Sequence, residues 1–517
     1  MINLINIKKY YYLLPFILGG ITSISLPPYN LFFLNFLTFP FLLFILIESQ
    51  NIKKSNWLSF CIGWFFGIGY FLSNIYWIVY SLTFEDIFKP IIPFALIIIP
   101  TFLGLFYGLV TFTVSKFKPK KNISTILIFA LIFSIIEFFR GFLFGGFPWN
   151  LVVYSWSGYI NSIQILSLIG TYSFNLISIT LFVLPIFFVF KKNIRSNLFL
   201  FLFLTIILVS NNFYGLWKIK KDNFLFNRFE SFSLKIISPK ISIDRFFQND
   251  NQEIIIDELI ELSKPDFSKR TIFIFPEGAL AGISLDDLRN FKEKFSNNFS
   301  SEHRIIIGIN TEYKIDGFLK TYNSMVILDN KLNLLSEYNK NKLVPFGEFL
   351  PFENLIRKFG FKKVTKGYNS FSSGKIRKLQ SIDNINFNFI PLICYEIIYS
   401  GGVSSTLDNT NFIINISEDG WFGNSIGPHQ HFSHSIFRSI EEGKNIFRSS
   451  NNGISAYIDS NGLVIHRLES TQRGVIEVTN YKNLEKTTFS KFGNKIFFYF
   501  ILFYIILIFF INKRERE

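Results

Sequence analysis

Glu277, Lys340 and Cys394 form a chemically coherent set in the second half of the chain. Cys394 closes the apolar run Phe387–Cys394 and is followed by Tyr395-Glu396. A thiol of ordinary pKa, about 8.5, is mostly protonated at neutral pH, and only the thiolate is a strong nucleophile. Some group must take its proton or stabilise its charge. Glu277 follows Thr271–Phe275 and Pro276, so its carboxylate sits at the end of a buried strand. Burial there tunes a carboxylate toward general-base work. Lys340, in Tyr338-Asn339-Lys340, brings a fixed positive charge. That charge suits both a thiolate and the oxyanion that forms when a carbonyl is attacked. The backbone N–H of Tyr395 is a second candidate donor to that oxyanion. Each residue alone also has an ordinary reading: a packed cysteine, a turn after a strand, a solvated lysine.

Residues 213–495 supply the elements that position these groups. Short β-branched runs bounded by turn residues predict strands at Phe232–Ile237, Thr271–Phe275, Arg304–Asn310, Ser324–Leu328, Phe387–Cys394, Phe412–Ile416, Ile454–Ile458 and Gly474–Val478. Helical patterns fall near 251–263, 284–296 and 432–447. The expectation is an α/β domain, a sheet core covered by helices, long enough to bury its own core.

The rest of the chain is of another kind. Of 517 residues, 49% are hydrophobic and 68 are phenylalanine. Eight apolar segments are long enough to cross a bilayer, about 11–26, 31–48, 57–79, 90–115, 123–140, 163–190, 196–212 and 496–512. The first lacks a small-residue cleavage site and reads as a retained anchor. The expected organisation is a seven-helix membrane bundle over 1–212, a catalytic domain over 213–495, and a last membrane helix with its tail over 496–517.

The net charge of +15 invites a nucleic-acid reading, but its location argues against one. Residues 1–212 hold 13 basic and 4 acidic side chains, nearly all in short loops. Lys8 and Lys9, Lys53 and Lys54, Lys116 to Lys121, Lys191 to Arg195, and Lys513 to Arg516 fall on alternate ends of the segments. That asymmetry puts them in the cytoplasm and residues 213–495 on the periplasmic side of a bacterial inner membrane. The two cysteines, Cys61 and Cys394, lie in different compartments of this scheme, so no disulfide is expected.

Several blocks carry a family resemblance. The most specific runs Tyr338-Asn339-Lys340-Asn341-Lys342-Leu343-Val344-Pro345-Phe346-Gly347-Glu348-Phe349-Leu350-Pro351. Others are Ile393-Cys394-Tyr395-Glu396, Gly420-Trp421-Phe422-Gly423, Gly427-Pro428-His429-Gln430-His431, Asn452-Gly453-Ile454-Ser455 and, in the membrane half, Gly146-Phe147-Pro148-Trp149-Asn150. Together they resemble the carbon–nitrogen hydrolase (nitrilase) superfamily, with its Glu-Lys-Cys triad in that chain order, and within it the bacterial apolipoprotein N-acyltransferases. The resemblance implies an αββα sandwich on an eight-helix bundle. By position it implies Glu277 as general base, Lys340 as stabiliser of thiolate and oxyanion, and Cys394 as nucleophile. It assigns Glu348, Tyr395 and Glu396 to supporting the site or engaging substrate; for Glu348, merely positioning Lys340 is an equal alternative.

The implied reaction moves an acyl chain from a membrane phospholipid, through a Cys394 thioester, to the α-amino group of a diacylglyceryl-cysteine on an apolipoprotein. It calls for no cofactor and no metal, and nothing in the sequence demands an oligomer. The alternative is a membrane-tethered amidase or nitrilase acting on a small C–N substrate; a non-catalytic scaffold is a third class. His429, His431 and His434 lack a structural-zinc spacing, although His431 is also a candidate Cys–His base. The uncharged loop Gly141–Tyr159 is a candidate floor for a lipid entrance, and residues 352–374 a candidate lid.

Three positions depart from the usual family pattern. Ser238-Pro239-Lys240 and Phe246-Phe247 stand where a Gln-x-Asn and then a Trp are usual. Gly278 replaces a Thr or Ser after Pro-Glu, and Glu418-Asp419-Gly420 replaces the Asn-Asp before Trp-Phe-Gly.

Overall fold

The computed structural model describes residues 10–50, 55–190, 194–223, 225–247, 252–350, 370–403 and 410–514. The chain divides into two compact units. One comprises Met1–Val79, Pro90–Lys221 and Thr487–Glu517; the other comprises Tyr80–Lys89 and Asp222–Lys486.

The first unit is helical. Among the described residues, seven helical stretches are long and apolar enough to cross a membrane: Phe32–Ser49, Asn56–Thr83, Asp86–Lys116, Ile123–Arg140, Ser162–Phe190, Ile194–Asp222 and Lys495–Arg514. The remaining expected segment forms the shorter helix Tyr10–Ser23. The helix expected over 196–212 runs on to Asp222, because Asn211–Lys221 has no breaker and Gly215 packs against the Asn161 backbone. The Gly141–Tyr159 loop is fastened from within this unit. Arg140 Nη2 donates to Asn150 O at 3.2 Å, and the buried Trp149 ring lies 5.2 Å from Trp77 and 6.3 Å from Phe147.

The second unit is a two-sheet sandwich. In chain order its described strands are β1 (Phe226–Arg228), β2 (Ser233–Ser238), β3 (Thr271–Ile274), β4 (Arg304–Ile315), β5 (Phe318–Leu328), β6 (Leu334–Asn339), β7 (Gln380–Ile382), β8 (Phe387–Ile393), β9 (Phe412–Glu418), β10 (Asn445–Asn451), β11 (Ser455–Ile458), β12 (Val464–Leu468), β13 (Gly474–Val478) and β14 (Asn480–Lys482). One six-stranded sheet has the order β13-β2-β3-β4-β5-β6 and the other β12-β11-β10-β9-β8-β7; β1 and β14 pair separately. The two inner faces bury Leu234, Ile236, Ile274 and Ile306 against Phe389, Ile393, Ile414 and Phe447. The outer face of the first sheet is covered by Gln252–Ser263 and the helical turns over 285–298, through Ile256, Leu259, Leu288 and Phe295. Helix Gly427–Glu442 packs on the second sheet. This is the αββα layering the resemblance implies.

The helix expected over 432–447 needs correcting. It spans Gly427–Glu442 and ends at Gly443, whose φ of 64° suits a left-handed helix stop. Asn445–Asn451 is instead a central strand, parallel to β9. Its polar side chains disguise it: Arg448, Ser449 and Ser450 are fully buried, Arg448 and Ser449 through side-chain hydrogen bonds, so it lacks the apolar alternation of an ordinary strand.

Candidate active site

Glu277, Lys340 and Cys394 converge at the ends of strands from both sheets. β3 ends at Ile274, and the chain continues beside β4 through the bonds Phe275 N to Ile306 O (2.8 Å) and Gly308 N to Pro276 O (3.2 Å). β4 comes this close because residue 308 is glycine. A Cβ there would lie 2.5 Å from Glu277 Cα and 2.9 Å from Pro276 O, both of them backbone atoms. Gly308→Ala is therefore expected to push Glu277 out of place. Overpacking of this kind costs about 1–3 kcal/mol, and Cys394 acylation should slow beyond what the stability loss explains. Thermal melts run beside single-turnover acylation check it.

Lys340 follows β6 and is held by its own N–H, which donates to Asn323 O at 2.9 Å. Its side chain is 1% exposed. Nζ donates to Glu348 Oε1 at 2.9 Å and to Glu277 Oε1 at 3.2 Å. Asn323 Nδ2 donates to the same two oxygens, at 2.7 Å each. The outer oxygens are also used: Glu277 Oε2 accepts from Glu418 N at 3.0 Å, and Glu348 Oε2 from Val344 N at 2.8 Å. Burial works against the ammonium charge, but Glu277 and then Glu348 outweigh it and hold the Lys340 pKa well above its ordinary value. Two of the three N–H groups on Nζ are thus committed to carboxylates, leaving one for a thiolate or oxyanion.

Cys394 sits between β8 and the helical turn Cys394–Ile398 with φ of 48°, a conformation that few residues other than glycine adopt. Glu396 holds it there. Its Oε2 accepts from Ile393 N at 2.9 Å. Its Oε1 accepts from Tyr338 OH at 2.6 Å, Asn341 N at 3.0 Å and Lys342 N at 3.2 Å, with Arg377 Nη2 at 3.4 Å. One buried carboxylate therefore ties the cysteine turn to the lysine loop. Glu396→Gln puts an amide donor against these donors and leaves Arg377 uncompensated. A loss of about 3 kcal/mol or more is expected, with Cys394 acylation falling further than the melting temperature alone explains; denaturant titration and acylation kinetics test both.

The thiol is not pre-ionised. Burial and then the negative charge of Glu277 push its pKa well above the ordinary cysteine value, while Lys340 and a hydrogen bond with Ser417 pull it down by less. To serve as a nucleophile, such a thiol would need a base close at hand. The end of β9 serves all parts of the site in three successive residues. Ser417 meets the thiol, the Glu418 N–H meets Glu277, and Asp419 Oδ1 lies 2.9 Å from His431 Nδ1. His431 Nε2 is 3.3 Å from the backbone oxygen of Cys394, and Arg448 Nη2 donates to Asp419 Oδ2 at 2.8 Å. Burial lowers the His431 pKa, against the opposing pull of the Asp419 charge. His431 thus faces the cysteine backbone, while Glu277 and Lys340 act electrostatically on the thiol.

The supporting residues are placed as follows. Glu348 shares Lys340 and Asn323 with Glu277. Glu396 is the brace just described. Tyr395 is buried in the cysteine turn, its ring edge-on to Tyr399 at 5.6 Å. Of the candidate lid, residues 352–369 lie outside the described residues. Its end is stitched to the site: Phe371 N donates to Glu348 O at 2.9 Å and Gly374 N to Lys340 O at 2.8 Å. Sequence reasoning missed Asn323, Ser417, Arg377, Arg448 and the bracing role of Asp419. Each is a polar residue on or beside a strand, and no spacing marks it out.

Residues 18–184 match the apolipoprotein N-acyltransferase N-terminal domain, and residues 259–482 match the carbon–nitrogen hydrolase family. The apolipoprotein N-acyltransferase of Rickettsia prowazekii (strain Madrid E) is 32% identical over 502 residues, covering 95% of this chain and 96% of that one. That of Brucella melitensis biotype 1 is 28% identical over 480 residues, 89% of this chain and 88% of its own. A solved amidase from Nesterenkonia sp. AN1 aligns with a TM-score of 0.34 at 12% identity, over 49% of this chain and 92% of that one. Matched along nearly its whole length to such relatives, the chain belongs to the apolipoprotein N-acyltransferase family, acyltransferases of the carbon–nitrogen hydrolase superfamily.

Proposed function

We propose that this protein N-acylates bacterial lipoproteins, with a membrane phospholipid as donor and Cys394 as the covalent carrier. The observation that carries the reading is the Glu277–Lys340–Glu348 cluster acting on a buried thiol, in a chain whose other half is a set of apolar helices. Cys394 attacks the carbonyl of an acyl ester as Glu277 removes the thiol proton. The Lys340 ammonium and the Tyr395 N–H receive the oxyanion. The C–O bond breaks, Glu277 returns the proton to the departing lyso-phospholipid alkoxide, and a thioester remains. The α-amino group of a diacylglyceryl-cysteine then attacks the thioester. Glu277 accepts the amine proton and passes it to the leaving thiolate, and an amide is released. An ester is exchanged for a more stable amide, so no energy cofactor enters. This is ping-pong covalent catalysis.

The helices give a lipid reaction its proper setting. Drawing an acyl chain out of a bilayer costs about 0.8 kcal/mol per CH₂, and a site held at the membrane surface avoids that cost. In this reading residues 1–212 and 496–517 lie in the inner membrane and 213–495 on its periplasmic face, as the loop charges support.

The test uses purified protein and phospholipid labelled in its acyl chain. Label should appear on the Cys394 peptide and move to the amine of an added diacylglyceryl peptide. Label that reaches only water would favour the tethered amidase or nitrilase, and no label at all would sink covalent acyl transfer.

A further inference from the structure

The departures from the family pattern are not scattered in space. Gly278, Glu418 and the Arg245-Phe246 turn meet around the backbone of Glu277. Arg245 is 1% exposed and makes five hydrogen bonds, as many as a guanidinium has N–H groups. Nε and Nη2 both donate to Gly278 O, at 3.2 and 2.9 Å. Nη1 donates to Ile241 O and Ser242 O, at 3.3 and 2.8 Å. Nη2 also pairs with Glu418 Oε2. Glu418 is fully buried and anchored in turn: Asn451 Nδ2 donates to Oε2 at 2.7 Å and Gly420 N to Oε1 at 2.8 Å. The guanidinium also lies 4.5 Å from the Phe246 ring centre. Gly278 has φ of 56°, and a Cβ on it would lie 2.8 Å from Phe246 Cζ, so the glycine and the phenylalanine fit each other.

We propose that Arg245 and Glu418 are a positioning pair for Glu277. The guanidinium fixes the carbonyl group of the residue after the base. The Glu418 side chain fixes the guanidinium, and the Glu418 backbone N–H fixes Glu277 Oε2. The proposal rests on the reading of Glu277 as base. Four of the five bonds from Arg245 go to neutral carbonyls, so Glu418 supplies the compensating charge that a buried guanidinium needs. Both Glu277 oxygens are then oriented: Oε1 by Lys340 of the triad and by Asn323, Oε2 by the backbone N–H of Glu418, the anchored member of the pair. A misplacement of about 1 Å in such a group costs about 10²-fold in rate.

The test reads base-assisted removal of the thiol proton during attack by sulfur, not the resting ionisation of the thiol and not acyl transfer. Iodoacetamide alkylation of Cys394 is followed by peptide mass spectrometry across pH, which separates it from Cys61. Wild type is compared with Glu277→Gln, with Arg245→Met/Glu418→Leu, and with the combination of all three. The pair is replaced together because one member alone would leave a buried charge. The double variant should alkylate about 10–100-fold more slowly at neutral pH. The gap should close at high pH, where hydroxide removes the proton, and adding Glu277→Gln should slow the double variant no further. Wild-type alkylation in a folded double variant would overturn the proposal, as would slowing that simply multiplies with that of Glu277→Gln. If the double variant does not fold, Arg245→Lys decides. It keeps the charge but loses the fork, and must slow alkylation at neutral pH by more than its loss in melting temperature explains; slowing no greater than that loss explains, or wild-type alkylation, overturns the proposal. Because no lipid is used, the two readings can fail separately. Glu277-dependent alkylation without acyl labelling of wild type would leave the pair standing and remove the acyl-transfer reading.

Discussion

Cys394→Ser should leave a folded protein that takes no acyl label from phospholipid. Serine occupies nearly the same volume, and the φ of 48° at this position asks as much of one side chain as of the other. The change in stability should therefore stay within about 0.5 kcal/mol. The chemistry should fail. Burial and the Glu277 charge already push the pKa of the thiol up, and a hydroxyl starts far higher. Glu277 is placed to take a proton from sulfur during attack, not to ionise an alcohol in a buried site. Loss of a nucleophile of this kind lowers turnover by about 10⁴-fold or more. Labelled phospholipid, Cys394-peptide mass spectrometry and a thermal melt give the three readings. Retained acylation of the peptide substrate by a folded Cys394→Ser protein would mean that another residue carries the acyl group.

What the sequence made legible follows from how each element announces itself. β3 and β8 are mostly apolar runs, and each leads to a candidate site residue, so Glu277 and Cys394 stood out before any fold was known. The membrane helices are visible because apolar length is a local property. β10 was hidden because its polar residues are buried rather than solvent-facing, Arg448 and Ser449 as hydrogen-bond donors to other groups. Asn323 was hidden for a related reason. It reaches Glu277 and Glu348 only through the pairing of β5 with β4 and β6, and register is not written in any one segment. The departures at 246, 278 and 418 are three separate changes along the chain. In three dimensions they surround a single interaction, which local reading has no means of joining.

The second large effect is expected from Lys340→Met, and it separates stability from chemistry. In the wild type the ammonium lies between two carboxylates that also share one amide, Asn323. Its raised pKa means that its contribution to stability is fully present below the ordinary lysine range and is lost only as pH rises through the higher folded value. At neutral pH the wild type therefore keeps the whole of that contribution. Methionine fills much of the space but leaves Glu277 and Glu348 facing each other without a cation. Removing one partner of a buried ion pair costs about 3–5 kcal/mol. Two carboxylates this close then share a proton, so one pKa in the folded variant rises above its unfolded value. That sign makes the variant relatively more stable in acid: its deficit should be greatest at neutral pH and shrink as pH falls toward about 4. Adding Glu348→Gln removes the second charge and should restore much of the stability at neutral pH. It should not restore acylation, because the oxyanion still lacks its cation, a loss of about 10²–10³-fold. Denaturant titrations at several pH values, run beside acyl-enzyme formation, resolve the two effects. If stability in Lys340→Met falls equally at every pH, the lysine is acting through packing rather than through the charges of Glu277 and Glu348. If Lys340→Met/Glu348→Gln recovers acylation along with stability, Lys340 does not serve the oxyanion.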